Sequence, residues 1–255
     1  MAAREPVLID GQALENGVFL VDKPEGLTSF AIVRKIRWLL GIKKVGHAGT
    51  LDPFATGLLV VCAGRAATRC IDQFMTGRKT YVARLQLGIE TDTQDPEGKV
   101  IGCSPVPALD PDAIDACLQR HVGPQLQAPP PYSAAKYKGK ALYTYARQGV
   151  MIEKEAKPIE IFSLVFKAYD SDTHQLDIEV QCSRGTYIRV LAADIGRALG
   201  CGAHLIGLRR TASGPFSVDD CLAGTELFAE NGLQLLLSGR RSIEEAVRFV
   251  SRPSL

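Results

Sequence analysis

Residues 43–69 read KKVGHAGTLDPFATGLLVVCAGRAATR, and the rest of the chain is organised around them. The first half of this stretch is low in bulk. Gly46, Gly49 and Gly57 surround His47, a run of small or hydroxyl-bearing positions, and Asp52 joined to Pro53. Glycine admits positive φ and close backbone approach, while Pro53 fixes its own φ and pushes Asp52 away from helical geometry. Asp52 is therefore expected on a stiff, sharply defined loop. The second half, LLVVCA, is a continuous apolar run closed by Gly64 and reads as a short buried strand. A carboxylate on a rigid loop at the mouth of a buried strand is how a catalytic group is usually held. Asp-Pro also starts ordinary turns. A turn alone, however, does not require a histidine five residues earlier, or Gly-Thr on one side and Thr-Gly on the other.

Composition narrows the classes. A chain of 255 residues with 46% hydrophobic content can bury a real core, as one large domain or one with a small appendage. The net charge of +2 does not by itself announce a nucleic acid, so any electrostatic footprint must be local. No apolar run approaches the roughly 18 residues that span a bilayer, and the N-terminal MAAREPVLIDG lacks the apolar core of a leader. The 7 cysteines and 4 histidines are dispersed, with no CxxC, HxxxH or HExxH, so no metal site is expected. Scattered thiols without an export signal point to a reduced, cytoplasmic protein. Gly77-Arg78-Lys79-Thr80 lacks the earlier glycine of a phosphate loop.

Taken in order, GVFLV from Gly17 to Val21 reads as an opening strand. Thr28 or Ser29 then caps a helix through Leu40, with Ile32, Val33, Ile36, Leu39 and Leu40 on its apolar side and Gly41 at its end. Arg34, Lys35 and Arg37, followed by Lys43 and Lys44, form a run without an acid. That run reads either as a solvated face or, directly before the Asp52 loop, as a phosphate contact. A short helix is expected over RAATRCIDQFMTG. Then KTYVARLQLG alternates as a strand with Tyr81, Ala83, Leu85 and Leu87 on one face. TDTQDPEG is a polar loop, and Asp110-Pro111 opens a helix through about His121. Between about residues 127 and 157 the character changes. Four of the 7 tyrosines (Tyr132, Tyr137, Tyr143 and Tyr145) stand among six basic residues and two acidic ones. Such a segment suits RNA, with cations on phosphates and rings on unpaired bases, although tyrosines at helical spacing also pack inward. Two strands around a turn near Asp172, the amphipathic helix of SRGTYIRVLAADIGRALG and the extended HLIGLRRTASGPF complete the body of the chain.

GHAGTLDPFATGLL resembles the signature loop of the bacterial tRNA pseudouridine synthase B family, in which the aspartate is the nucleophile. RKTYVARLQLG with TDTQDPEG, KALYTYARQG, CSRGTYIR and LRR resemble further motifs of that family, from about Gly17 to Phe216. The resemblance implies an α+β fold, a mixed and mostly antiparallel sheet flanked by helices. Residues 1–216 would form the catalytic domain, 127–157 an insertion that closes on RNA, and 217–255 a short helical extension too small for a complete RNA-binding module.

The implied activity is isomerisation of uridine-55 in the T-loop of tRNA, with Asp52 as nucleophile, Tyr81 against the target base and His47 holding the extruded nucleotide. Arg209 is implied as the arginine that pairs with Asp52 at the substrate. Asp95 is a candidate anchor of the site. Gly207 departs from members with a tyrosine two places before Arg209. Nothing is oxidised or hydrolysed overall, so neither cofactor nor metal is expected. The partner is the tRNA T-arm, with no membrane and no obligate protein partner, and the chain is expected to act as a monomer. A non-catalytic tRNA-binding protein would share the tyrosine segment but has no need of Asp52, Tyr81 and Arg209 together. A glycosidase-like hydrolase wants two flanking carboxylates, and only one stands in a suitable setting. A relative working with a guide RNA is disfavoured by the 136–157 segment.

Overall fold

The computed structural model describes residues 8–9 and 12–251. The others lie outside it, and with them most of the N-terminal stretch read above as lacking a leader. Strands β1 (Leu8–Ile9) and β2 (Gln12–Ala13) pair antiparallel. They are followed by β3 (Gly17–Lys23), α1 (Ser29–Leu40), β4 (Val45–Ala48), β5 (Thr56–Ala63), α2 (Arg65–Arg69) and α3 (Ile71–Phe74). Next come β6 (Lys79–Leu87), β7 (Ile89–Thr91), β8 (Val100–Cys103), α4 (Pro111–Gln119), β9 (Gly123–Gln127), β10 (Lys136–Tyr137), β11 (Lys140–Ala141) and α5 (Leu142–Ala146). The chain continues through β12 (Lys157–Asp170), β13 (Gln175–Cys182), α6 (Ile188–Ala198) and β14 (Ala203–Ser213). It closes with β15 (Phe216–Ser217), β16 (Leu222–Ala223), α7 (Gly232–Ser238) and α8 (Ile243–Ser251). Among the described residues no helix is long and apolar enough to cross a membrane.

Two compact units result. One joins the residues up to Lys79 with those from Arg209 onward, and the other is 80–208. In the first unit β5 is the central strand. It is antiparallel to β3, from Gly17↔Ala63 to Lys23↔Gly57, and antiparallel to β4, with His47 opposite Val61. The end of β14 runs parallel to it, with Arg209 opposite Thr56 and Arg210 opposite Gly57. Period-two alternation sends Phe19, Val21, Leu59 and Val61 to one core, where Ile32, Val33, Ile36, Leu39 and Leu40 of α1 cover them. Val18, Leu20, Leu58, Val60 and Cys62 go to the other, under Phe74, Phe216 and Ala246. Helix α1 starts where the Thr28 hydroxyl accepts the Ala31 N–H at 3.0 Å and stops at Gly41 with φ 66°. Residues after Phe216 add to both cores, Leu236 of α7 to the first and Ala246 of α8 to the second.

The second unit carries strands in the order β6–β13–β12–β9. Strand β12 is antiparallel to both β13 and β9. Alternation buries Tyr81, Ala83, Leu85 and Leu87 on β6 and Leu176, Ile178, Val180 and Cys182 on β13, as expected from sequence. Helix α4 begins at the Asp110 side chain, which accepts the Ala113 N–H at 2.7 Å, and buries Ile114, Cys117 and Leu118. Among the elements not anticipated, β7 and β8 form a hairpin around TDTQDPEG. With parallel pairs in the first unit and the antiparallel ladders described above, the architecture is the mixed, mostly antiparallel α+β arrangement expected.

Candidate active site

Asp52 sits in the seven-residue connection between β4 and β5, and that connection is braced at several points. The Ser29 hydroxyl, in the first turn of α1, accepts the Leu51 N–H at 2.9 Å and donates to the Leu51 carbonyl at 3.0 Å. Lys23, fully buried, donates to the carbonyls of Pro24 (2.9 Å), Leu27 and Pro53 (3.1 Å). Pro53 O also accepts the Gly26 N–H at 2.9 Å, and the Ala55 N–H closes a turn onto Asp52 O at 3.2 Å. Arg210 holds both ends of the loop: Nη2 donates to Gly49 O at 3.1 Å and Nε to Leu58 O at 2.7 Å. Gly57 makes that possible. Its φ is +102°, and a Cβ there would run into the backbone of Arg210. The expectation of a stiff loop is met by side chains that seize its backbone.

His47 lies on β4, five residues before Asp52. Burial first, and the Arg210 guanidinium second, hold its imidazole below its usual range, so the ring is neutral near pH 7. Its Nδ1 is buried and has no hydrogen-bond partner among the described residues. A neutral, partly buried ring beside the loop can lie flat against a base. It offers no charge to a phosphate.

Arg209 requires a correction. Its guanidinium forms a two-point ion pair with Asp22, at 3.0 and 2.7 Å, and not the expected pair with Asp52. Strand alternation explains the difference, because neighbours on β14 point to opposite faces. The inward arginine is Arg210, with 2% of its surface exposed. Arg209 turns to the β3 side, where it meets Asp22.

In the second unit Tyr81 is 8% exposed and belongs to the buried face of β6. Asp95 anchors its loop. It accepts from the Thr93 hydroxyl and the Glu97 N–H, and pairs with Arg189 at 3.0 Å, the side chains being 9% and 4% exposed. Arg189, in the first turn of α6, also donates to Thr93 O and Tyr132 O, both at 2.8 Å. It therefore ties the 91–99 loop to the start of the tyrosine-rich segment. Within that segment Tyr137 meets Tyr145 edge to face at 5.9 Å, and the Arg147 guanidinium lies 5.4 Å from the Tyr143 ring. Tyr143 is 43% exposed.

Lys23 and Ser29 carry no distinctive motif, whereas Arg189 ends CSRGTYIR and Arg210 ends LRR, stretches that resemble family motifs but do not by themselves say which arginine does the bracing. Alternation along β3 does place Lys23 on the inward side with Phe19 and Val21, and alternation along β14 separates Arg210 from Arg209. Those were the available signals.

A family model described as TruB family pseudouridylate synthase, N terminal domain, matches residues 37–188. A second, described as tRNA pseudouridylate synthase B C-terminal domain, matches 189–231. The chain is 51% identical over 245 residues to a tRNA pseudouridine synthase B of Desulfotalea psychrophila, covering 95% of this chain and 100% of that relative. It is 49% identical to the protein of the same name from Aromatoleum aromaticum, covering 84% and 68% of the two chains. Among solved structures, a chain of a Cbf5-Nop10-Gar1 complex superposes with a TM-score of 0.69 at 27% identity, over 91% of this chain and 62% of that one.

Proposed function

The chain belongs to the TruB family of pseudouridylate synthases, and from that premise we propose that it converts uridine-55 in the T-loop of tRNA to pseudouridine. The Asp52 carboxylate attacks the nucleotide, the glycosidic bond to nitrogen breaks, and the base turns and rejoins the ribose through carbon. Release of Asp52 restores the enzyme, so no group is gained or lost overall. The single observation that carries this reading is the Asp52 loop, gripped by Ser29, Lys23 and Arg210 through its backbone. A fixed nucleophile contributes through orientation, since a displacement of about 1 Å can cost on the order of a hundredfold in rate.

His47, neutral, supports the extruded nucleotide, and Tyr81 is assigned to the uracil. Flipping a base costs only a few kcal/mol, least where the base already lies in a loop. The 127–157 segment closes on the T-arm, with exposed Tyr143 and its neighbouring cations as RNA contacts. The chain acts on tRNA as a monomer in the cytoplasm. A T-arm stem-loop transcript tests the activity: one uridine should become pseudouridine without mass change, as read by chemical derivatisation. Tight binding without conversion would leave only an RNA-binding function.

A further inference from the structure

The outward face of α1 carries large apolar groups that solvation alone does not explain. Ile32, Val33, Ile36, Leu39 and Leu40 account for its inner side. On the opposite side Phe30 is 57% exposed and Trp38 43%, with Arg34 midway between them. Four-residue spacing puts all three in one line along the helix. At 1.5 Å per residue, the two rings stand about 12 Å apart along the axis. Each ring has a cation beside it: Lys35 Nζ is 4.5 Å from the Trp38 centroid, and the Arg37 guanidinium is 5.8 Å from that of Phe30. Exposed Lys43 and Lys44 follow the helix. Between Glu25 and Asp52 the chain has no acidic residue at all. The helix begins at Ser29, which is bonded to Leu51, the neighbour of Asp52.

Aromatic faces interleaved with cations, in a stretch of chain without carboxylates, match unpaired RNA: bases stack on rings and phosphates meet the charges. The target loop is engaged at Asp52, and a paired stem presents no free base faces. Two rings about 12 Å apart along the helix call for unpaired bases beyond the one engaged at Asp52. We propose that this line on α1 is a second RNA contact, which grips an unpaired segment of tRNA outside the stem-loop that carries the modified uridine. The proposal rests on the tRNA-modifying function above.

The test compares the parent chain, the double variant Phe30→Ala/Trp38→Ala, and Arg34→Glu on intact tRNA and on the isolated T-arm stem-loop. The double variant should bind intact tRNA about tenfold more weakly or worse. Arg34→Glu should lower the salt slope of log K by roughly 0.7, the share of one single-strand phosphate. For both, stem-loop affinity and the single-turnover rate at saturating RNA should stay within about twofold of the parent, since neither touches the Asp52 loop's braces. Intact-tRNA affinity that stays within about twofold overturns the proposal, and so does an equal loss on both RNAs. Loss of self-association in light scattering, with tRNA affinity unchanged, also overturns it and makes the line a protein contact. A parent chain that binds both RNAs but converts neither defeats the isomerase reading instead. The ratio of the two affinities then still decides this surface.

Discussion

In the connection that carries Asp52 the braces end on backbone: Ser29 on both polar groups of Leu51, Lys23 on the Pro53 carbonyl, Arg210 on the carbonyls of Gly49 and Leu58. In the hairpin loop that carries Asp95 they end on the carboxylate itself, which takes bonds from Thr93, Glu97 and Arg189. Both aspartates stand in polar, turn-rich sequence, and composition does not separate them. The difference lies in where the fixing hydrogen bonds attach. The backbone braces of Ser29, Lys23 and Arg210 survive a change of the Asp52 side chain, whereas the bonds that end on the Asp95 carboxylate do not survive a change of that residue. One arrangement suits a residue that reacts and the other a residue that positions.

The sharpest way to break this contrast is Asp52→Asn. Turnover should fall on the order of ten-thousandfold or more, as for loss of a nucleophile, while the thermal midpoint and RNA affinity stay put. A variant that melts early would show that the loop does depend on its carboxylate. Asp95→Asn should do the reverse and lower unfolding free energy by about 3 kcal/mol. That is the lower end for a broken buried pair, because Arg189 keeps its carbonyl acceptors. Urea titration measures it, and stability within error of the parent would remove Asp95 from its anchoring role. Arg210→Lys keeps the charge but not the planar fork that reaches both ends of the loop. Its single-turnover rate should drop about thirtyfold at unchanged RNA affinity. A loss confined to affinity would make Arg210 an RNA contact.

Arg209→Ala should do little. The pair with Asp22 is part-exposed, with side chains 42% and 28% accessible, so about 1 kcal/mol at most is at stake. A rate collapse there would restore Arg209 to the chemistry. The smallest effect concerns His47. Folding selects its neutral form, so its contribution to stability is complete above about pH 6.5 and is lost as pH falls below that value. The slope of stability between pH 7 and 5 should flatten in His47→Gln. An unchanged slope would assign the titration to another group.

Most of the fold was legible because it rests on periodicity. The α1 cap and stop, the β5 core run and the alternation of β6 and β13 all follow from residue order over a few turns or pleats. The hairpin of β7 and β8 was not legible, since its strands are short and Val100 and Ile101 face solvent, which erases the alternation. Within the site, the Asp52 loop announced itself through its glycines and proline. Its braces did not, because Ser29 lies 22 residues from Leu51 and Arg210 152 from Leu58. Local pattern carries no record of such pairs. The exchange of Arg209 for Arg210 as the inward arginine was recoverable from pleat parity alone, and the motif LRR hid it.

The first unit is assembled from two separated pieces of chain, and this has a consequence for biogenesis. Leu58 leaves the ribosome 152 residues before Arg210, whose guanidinium holds its carbonyl. At 5–20 residues per second, the interval is about 8–30 s. Throughout it the nascent polypeptide carries Asp52 without its strut, while the whole of the second unit is being translated. A fully braced Asp52 loop therefore exists only once Arg210 has been made, and a product that stops before Arg210 would carry the loop without that support.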